Sequence, residues 1–127
     1  MPSINVRISG PFFGGSMPGH IRSALSLSIG DVVAEGERSV KLQLYPGHGL
    51  RTGHYRRSVH GEIQNSMHGR IHDSGVIYGP WLEGVGSRNQ TTRFKGYQMF
   101  RQAKGELGRK VPGIVNRRVA QAIGRLN

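Results

Sequence analysis

The apolar residues in the first third of the chain follow two different periods. Ile4, Val6 and Ile8 alternate with polar residues, which is the period of a half-buried β-strand. Across residues 20–44 the apolar positions instead recur every three or four residues, as in an amphipathic helix. Residues 10–19, between the two patterns, are rich in Gly and Pro. The sequence therefore predicts a short strand, a flexible loop or arm, and a long helix.

Two further alternating runs surround a pair of turn residues in the middle of the chain. Residues 59–64 and 67–72 each alternate apolar or Gly positions with polar ones, and residues 65–66 separate them. This arrangement predicts a β-hairpin. A second turn at residues 73–75 leads into the apolar residues 76–78, which we expect to form a further strand.

Helical spacing returns toward the carboxyl end. Apolar residues recur at intervals of three and four from Tyr97 onward, and the spacing resumes after Pro112. Because proline disrupts the hydrogen-bond ladder behind it, we expect a kinked helix or two helices that meet. The polar segment 86–96 is predicted to be an exposed loop, and residues 52–58 a short helical turn.

These elements together predict an α+β fold in a single domain that covers residues 1–127. A small antiparallel sheet, made of the N-terminal strand, the central hairpin and the further strand, would pack against the long N-terminal helix and the kinked C-terminal helix. A chain of 127 residues can bury one modest core. Its 20 glycines are about twice the average usage, which implies tight turns or close approaches of the backbone.

The charge balance is the strongest signal in the composition. The chain has 18 Lys and Arg against 7 Asp and Glu, a net charge of +11. Such a surface attracts phosphate polyanions or acidic protein surfaces, and the planar fork of arginine suits both. Charge by itself does not choose between these partners, and a basic surface can also serve solubility alone. No segment approaches the roughly 18 apolar residues that cross a bilayer, so we expect no membrane contact.

Candidate catalytic groups are few. The 7 acidic residues are scattered singly, and the chain has no Gly-x-Ser-x-Gly elbow, no phosphate-binding loop and no cysteine. We therefore expect neither enzyme activity nor a cofactor. Glu83 is the acid with the richest surroundings. We expect it to form an ion pair with Arg88 or Arg93, which would lower its basicity.

Three of the 6 histidines invite a metal hypothesis. His68 and His72 lie four residues apart on one predicted strand, and His60 lies on the facing strand. Four residues span about 13 Å along a strand, which is too far for both rings to share one zinc ion. We therefore predict a polar strand face and no metal site.

The basic residues of the second half include a stretch in which they alternate with aromatic ones, a pattern also found in nucleic-acid-binding proteins. Its members are Arg88, Arg93, Phe94, Lys95, Tyr97, Phe100, Arg101 and Lys104. No zinc-finger spacing or recognition-helix pattern accompanies them, so reading of base sequence is not expected. Contact with phosphates that ignores the sequence stays open.

The succession of short motifs along the chain resembles the neck and tail-completion family of long-tailed double-stranded DNA phages, also described as head–tail joining or minor tail proteins. The motifs are Thr52-Gly53, Arg56-Arg57-Ser58-Val59, Tyr78 and Glu83-Gly84, followed by a helix over residues 97–107. Their order and spacing cover nearly the whole chain. Val85 departs from the small polar residue common after the Glu-Gly pair, and residues 111–127 are an added segment.

The resemblance implies a virion structural protein that forms a ring, sixfold in symmetry, between the head connector and the tail. Its partners would be further copies of itself, head-connector subunits and tail-tube or tail-terminator subunits, with non-specific contact to packaged DNA. Its place would be the neck or head-proximal end of the tail, after assembly in the host cytoplasm. The alternatives are a tail terminator that caps the tube and, more distantly, a basic nucleic-acid-binding module.

Nine residues are interface candidates under this resemblance. They are Phe12, Phe13, Arg56, Arg57, Tyr78, Trp81, Glu83, Arg88 and Arg93. Trp81 suits an interface anchor by residue type, and it suits a cap over the core of the monomer equally well. The arginines suit acidic subunits and packaged DNA alike.

Overall fold

The computed structural model describes residues 2–8, 18–44 and 54–124. In chain order its elements are β1 (Ser3–Arg7), α1 (Gly19–Leu42), α2 (His54–Ser58), β2 (His60–Asn65), β3 (His68–His72), α3 (Gly79–Glu83), α4 (Ser87–Thr91) and α5 (Met99–Gly124). The predicted α+β fold is confirmed: a small antiparallel sheet packs against a long N-terminal helix and a long C-terminal helix. The arm predicted at residues 10–19 lies almost wholly outside the described residues.

The sheet has the strand order β1-β3-β2, and both pairs of neighbours are antiparallel. Ile71 on the central strand lies opposite Ile4 of β1 and Gly61 of β2. Because side chains alternate between the two faces, these residues share the face that α1 covers. Ile71 is fully buried there, and Ile4 is nearly so.

Glycines on both sides let α1 lie close to the sheet. A Cβ at Gly69 of β3 would overlap the side chain of Val33 and would lie 3.2 Å from that of Ile29. A Cβ at Gly36 of α1 would lie 2.7 Å from Ile71. The missing side chains therefore allow a helix-to-sheet contact that alanine would push apart.

The core fills the space between the sheet, α1 and α5. From α1 it includes Val32 and Val40, and from α5 it includes Ala103 and Leu107. Residues at this spacing occupy one face of a helix, so α1 presents one side to the sheet and another to α5. The helical stripes predicted from the sequence are these buried faces.

Residues 76–78 do not form the further strand that their apolar character predicted. The sheet has three strands among the described residues, and this segment is a turn in which the Gly79 N–H donates to the Val76 carbonyl at 2.9 Å. Ser74 and Gly75 before it have positive φ angles of 63° and 75°. The chain therefore bends twice in succession and has no room for an extended run.

The hairpin is present, but its turn lies one residue later than predicted. β2 continues to Asn65, which pairs with His68, and an irregularity in register separates Ile63 from Asn65. The Asn65 side-chain oxygen accepts the Met67 N–H at 2.8 Å, so the turn falls at residues 66–67. A bulge adds one residue to its strand, which the alternating pattern does not reveal.

Two other predictions change. The segment 86–96, predicted as an exposed loop, contains α4, and Asn89 within it is buried. The alternative of two C-terminal helices is wrong, because α5 runs through Pro112 without a break. Pro112 removes the N–H that would bond to the Gly108 carbonyl. Both residues are exposed, so water can reach the carbonyl that is left without its usual donor.

Candidate assembly surface

α3 ends in a tight reversal of the chain. The N–H groups of Gly84, Val85 and Gly86 all donate to the Pro80 carbonyl, at 3.0, 3.0 and 3.1 Å. Gly84 has a φ of 102°, in the left-handed region where glycine avoids the steric penalty of a side chain. The reversal sends the chain directly into α4.

The returning chain then crosses the end of α3 with backbone against backbone. The Tyr97 N–H donates to the Leu82 carbonyl at 2.7 Å. Gly96 has a φ of 89°, and a Cβ placed on it would overlap the backbone of Gly84. A Cβ on Gly84 would overlap the Lys95 carbonyl. Two glycines are therefore required at one crossing.

Glu83 joins this crossing to the start of α5. Its two carboxylate oxygens accept the N–H groups of Phe100 and Arg101, at 2.8 and 3.0 Å. These donors lie in the first turn of a helix, where no carbonyl of the same helix is available to them. Burial raises the pKa of the Glu83 carboxyl above its usual value, although the two N–H groups and the Arg101 charge act in the opposite direction.

Asn89 holds the remaining loop from within α4. Its side-chain N–H₂ donates to the carbonyls of Trp81 and Phe94, at 3.1 and 3.0 Å, and its side-chain oxygen accepts the Gly86 N–H at 2.9 Å. The Lys95 ammonium donates to the Asn89 carbonyl at 2.7 Å. We call residues 79–98, fixed by Glu83 and Asn89, the α3 clasp.

A buried Tyr–Asp pair attaches the clasp to the rest of the fold. The Tyr55 hydroxyl of α2 donates to Asp73 at 2.8 Å, and the Gly75 N–H donates to the other carboxylate oxygen at 3.0 Å. Burial and the Asp73 carboxylate raise the pKa of the Tyr55 hydroxyl far above its usual value. Gly79, the first residue of α3, has no space for a Cβ beside Asp73. The position of α3 is therefore set by a fully buried carboxylate.

Apolar side chains stand exposed at both ends of α3. Ile77 is 96% exposed and Tyr78 is 43% exposed before the helix, and Val85 is 71% exposed after it. The half-buried rings of Trp81, Phe94 and Tyr97 pack in a row with centroids 4.9 and 5.1 Å apart. An aliphatic side chain with most of its surface in water gains stability when a partner covers it. We call Ile77, Tyr78 and Val85 the apolar flanks of α3.

Only some of the predicted interface residues lie at this surface. Arg56 and Arg57 are exposed on α2, and Tyr78 lies beside α2 with its ring 5.9 Å from that of Tyr55. Arg88 is exposed in α4, and Arg93 is exposed just after it. Phe12 and Phe13 lie outside the described residues.

Trp81 fits one of its two predicted roles in part, and Glu83 differs from its predicted surroundings. Trp81 is half-buried against Phe94, so it supports the clasp and presents only part of its ring to solvent. The predicted ion pair of Glu83 with Arg88 or Arg93 is wrong, since its carboxylate is buried and accepts backbone N–H groups of α5. Sequence reasoning counted the nearby charges and missed the helix start that would claim the carboxylate.

Sequence reasoning also missed Asp73, Asn89 and the apolar flanks. Asp73 and Asn89 stand in polar, turn-like stretches, where short polar side chains usually face water, and only the fold buries them. Ile77 was assigned to a strand by its apolar neighbours. A signal was available for Val85: an aliphatic residue between Gly84 and Gly86 has no regular element in which to be buried.

Two of the three histidines considered for metal binding have other partners. One ring nitrogen of His72, Nε2, lies 2.9 Å from a Glu62 carboxylate oxygen. The other, Nδ1, accepts the Ser74 N–H at 2.9 Å. His68 lies 3.3 Å from the Asn5 side-chain oxygen. Within residues 2–8, 18–44 and 54–124, no three His, Asp or Glu side chains come together in a way that would hold a metal ion.

Comparison with known proteins gives no relative: no protein-family model, curated protein or solved structure matches the chain. Across the same described ranges, none of the helices combines the length and apolar character needed to cross a bilayer.

Proposed function

We propose that the chain is a structural protein of the neck of a long-tailed double-stranded DNA phage, where it assembles into a ring that joins the head connector to the tail. The observation that carries the proposal is that the apolar flanks are exposed on a backbone held in place by hydrogen bonds. Ile77 and Val85 extend into solvent from the two ends of α3, and hydrogen bonds hold the backbone beside them.

The motifs that carry the family resemblance have physical roles in holding α3 in place. Glu83 caps α5, Gly84 permits the crossing, and Tyr78 lies against Tyr55 of α2. The motif residues of α2, α3 and α5 come together at one surface. This supports an architecture shared with the neck family more strongly than scattered motif residues would.

Ring assembly makes specific demands on such a surface. Subunits in a ring contact one another head to tail, so each presents two different surfaces. An apolar anchor surrounded by charged side chains is typical of protein interfaces, and arginine is enriched in them. The exposed Arg56 on α2 and Arg88 on α4 supply cationic groups on the elements next to the anchor. We infer that a neighbouring subunit contributes an apolar recess with acidic residues at its rim.

The apolar flanks provide the first test. The double variant Ile77→Ser/Val85→Ser is expected to weaken self-association at least about tenfold, because it removes two exposed aliphatic anchors, each worth more than ~1 kcal/mol if covered. Its circular dichroism and melting temperature are expected to stay near those of the wild type, since both side chains face solvent. Sedimentation across a concentration series measures the association.

A matched control exists on other surfaces. Leu42 and Ile63 are 56% and 55% exposed, and Leu42→Ser/Ile63→Ser also removes two exposed aliphatic side chains. Equal loss of association in both variants would show that non-specific hydrophobic contact drives self-association. The proposal fails if the wild type stays monomeric, both alone and with purified heads and tails. In an infection without this protein, filled heads and complete tails that fail to join would support the neck role. Tails of irregular length would support the tail terminator instead.

A further inference from the structure

The solvent side of α5 carries an unusual combination of residues. Apart from Gln102, its exposed positions from Arg101 to Pro112 are basic or small. Six of them span one side of the helix at about 100° per residue: Arg101, Lys104, Gly105, Gly108, Arg109 and Pro112. We call these six residues the α5 outer face. Arg101 and Arg109 border one shallow surface depression, with Gly105 between them. They are eight residues apart, or about 12 Å along a helix.

The other charged residues of α5 between Arg101 and Arg118 are largely engaged by α1. Arg118 forms a two-pronged ion pair with Asp31, at 2.6 and 3.0 Å, and lowers the pKa of that carboxyl. Lys110 contacts Glu35 at 2.7 Å. Glu106, the one acid of α5, accepts a hydrogen bond from Ser39 of α1 at 3.0 Å. Ser39 carries no charge, so this hydrogen bond orients the Glu106 carboxylate toward α1 without pairing it with a cation.

The three charged residues of the outer face are all basic, and they outnumber the half-buried Glu106, which lines the depression between Arg101 and Arg109. Arg101, Lys104 and Arg109 form no ion pair with any residue in the described part of the chain. Three cations this close on one helix repel one another unless a polyanion lies against them. A second copy of the same face would add to that repulsion, so charge complementarity excludes it as the occupant.

The outer face also lacks the anchors of a protein interface. No large hydrophobic residue is exposed across residues 101–122, all of which the structure describes. Protein interfaces depend on buried apolar and aromatic anchors, whereas DNA interfaces are more polar and much more positively charged. The apolar flanks of α3 have the first character, and the α5 outer face has the second.

The glycines of this face serve no contact within the chain. A Cβ at Gly105 or Gly108 would meet no heavy atom within 4 Å, although each glycine weakens a helix by about 1 kcal/mol relative to alanine. At about 100° per residue, Gly105, Gly108 and Pro112 form a low strip in line with Arg101, and Lys104 and Arg109 lie on its two sides. A broad, smooth partner can therefore approach the helix while the long side chains reach around it.

We propose that the α5 outer face binds the phosphate backbone of duplex DNA without reading its sequence. Duplex DNA carries about one negative charge per 1.7 Å of its axis, so the span of about 12 Å from Arg101 to Arg109 faces roughly seven phosphates. Each guanidinium can donate two parallel hydrogen bonds to one phosphate. The resemblance implies non-specific contact with packaged DNA, and this inference assigns such contact to one face of α5. It can be tested whether or not the chain forms a ring.

The test is a salt series with a duplex of about 30 base pairs and the full-length protein. For the wild type, the logarithm of the binding constant is expected to fall with the logarithm of salt concentration with a slope of about −3 or steeper, from three phosphate contacts. In Arg101→Gln/Arg109→Gln the slope is expected to become shallower by about 2. The loss should be the same for duplexes of unrelated sequence.

A control variant separates local contact from total charge. Arg7→Gln/Arg38→Gln removes the same two charges from exposed positions on β1 and α1, and it is expected to change the slope by less than 1. Equal effects of the two double variants would overturn the assignment to α5. So would the absence of DNA binding at about 50 mM salt. Binding of polyglutamate without binding of DNA would identify an acidic protein as the partner and refute the proposal.

The outcomes of this test and of the ring test are distinct. Arg101→Gln/Arg109→Gln is expected to keep the self-association of the wild type, and Ile77→Ser/Val85→Ser is expected to keep the salt slope of a single subunit. A wild-type protein that forms rings but does not bind DNA would refute the further inference alone. Absence of rings with intact DNA binding would refute the neck proposal alone.

Discussion

Replacing Gly96 with alanine is expected to lower the free energy of unfolding by about 3 kcal/mol or more, because the new methyl group would fall on the backbone crossing of the α3 clasp. The φ of 89° at Gly96 alone disfavours a side chain by about 1 to 2 kcal/mol. The added Cβ would also overlap the backbone of Gly84, which has no rotamer by which to move away. Urea unfolding followed by circular dichroism measures the loss.

The same substitution elsewhere in the chain gives the control. Gly105→Ala and Gly108→Ala place their methyl groups in open space on a helix, and each is expected to raise the free energy of unfolding by up to about 1 kcal/mol. Opposite signs for Gly96 and Gly105 would identify the backbone crossing as the cause. A Gly96→Ala protein as stable as the wild type would contradict the crossing itself.

Removing the carboxylate of Glu83 is the second large effect we expect. Glu83→Ala leaves the N–H groups of Phe100 and Arg101 without their acceptor, and we expect a loss of about 2 to 4 kcal/mol in the free energy of unfolding. Because the clasp holds the apolar flanks, the variant should also associate more weakly. Glu37→Ala, which removes a surface carboxylate paired with Lys41, is expected to lose less than about 1 kcal/mol.

Glu83 also predicts a pH dependence of definite sign. Its pKa is raised in the folded chain above the usual 4.5, so the folded state binds this proton more tightly than the unfolded state. The stability tied to this proton is fully present below pH 4.5 and is lost as the pH rises through the raised pKa. Glu83→Gln keeps one acceptor and has no such proton. Its unfolding free energy, subtracted from that of the wild type across this range, should reveal the slope.

Asp31 and Glu35 act in the opposite direction. Their pKa values are lowered in the folded chain, chiefly by hydrogen bonds from Arg118 and Lys110, so their contributions are present above the usual values and are lost as the pH falls. As the pH falls, protonation of Asp31 and Glu35 therefore lowers the free energy of unfolding, whereas protonation of Glu83 raises it. This is why the subtraction between wild type and Glu83→Gln, and not the wild-type curve alone, tests the Glu83 assignment.

How far the candidate site followed from the sequence differs from residue to residue. Tyr78, Arg88 and Arg93 were named from the motif order and lie on or beside the clasp. Glu83 was named too, but with the wrong partners, because proximity in sequence to two arginines suggested an ion pair. Its actual donors, Phe100 and Arg101, lie more than a dozen positions away and became available only because a helix begins there.

The periodicity of the chain by itself determined the long elements. Over runs as long as α1 and α5, apolar residues spaced by three and four fall on one face only in an α-helix. Buried residues such as Val32, Val40 and Leu107 therefore identify both helices from the sequence. The alternation around residues 65–66 likewise identified the hairpin. The net charge of +11 indicated a polyanionic or acidic partner, without a location.

Only the tertiary structure decided what the short segments do. Residues 76–78 and 86–96 are too short for their periodicity to outweigh the contacts around them, so the first became a turn and the second acquired a helix. The same holds for charge, since α1 neutralises Lys110 and Arg118 and leaves Arg101 and Arg109 exposed without an ion pair among the described residues. Local pattern determines an element when its buried face is long, and packing determines it when that face is short.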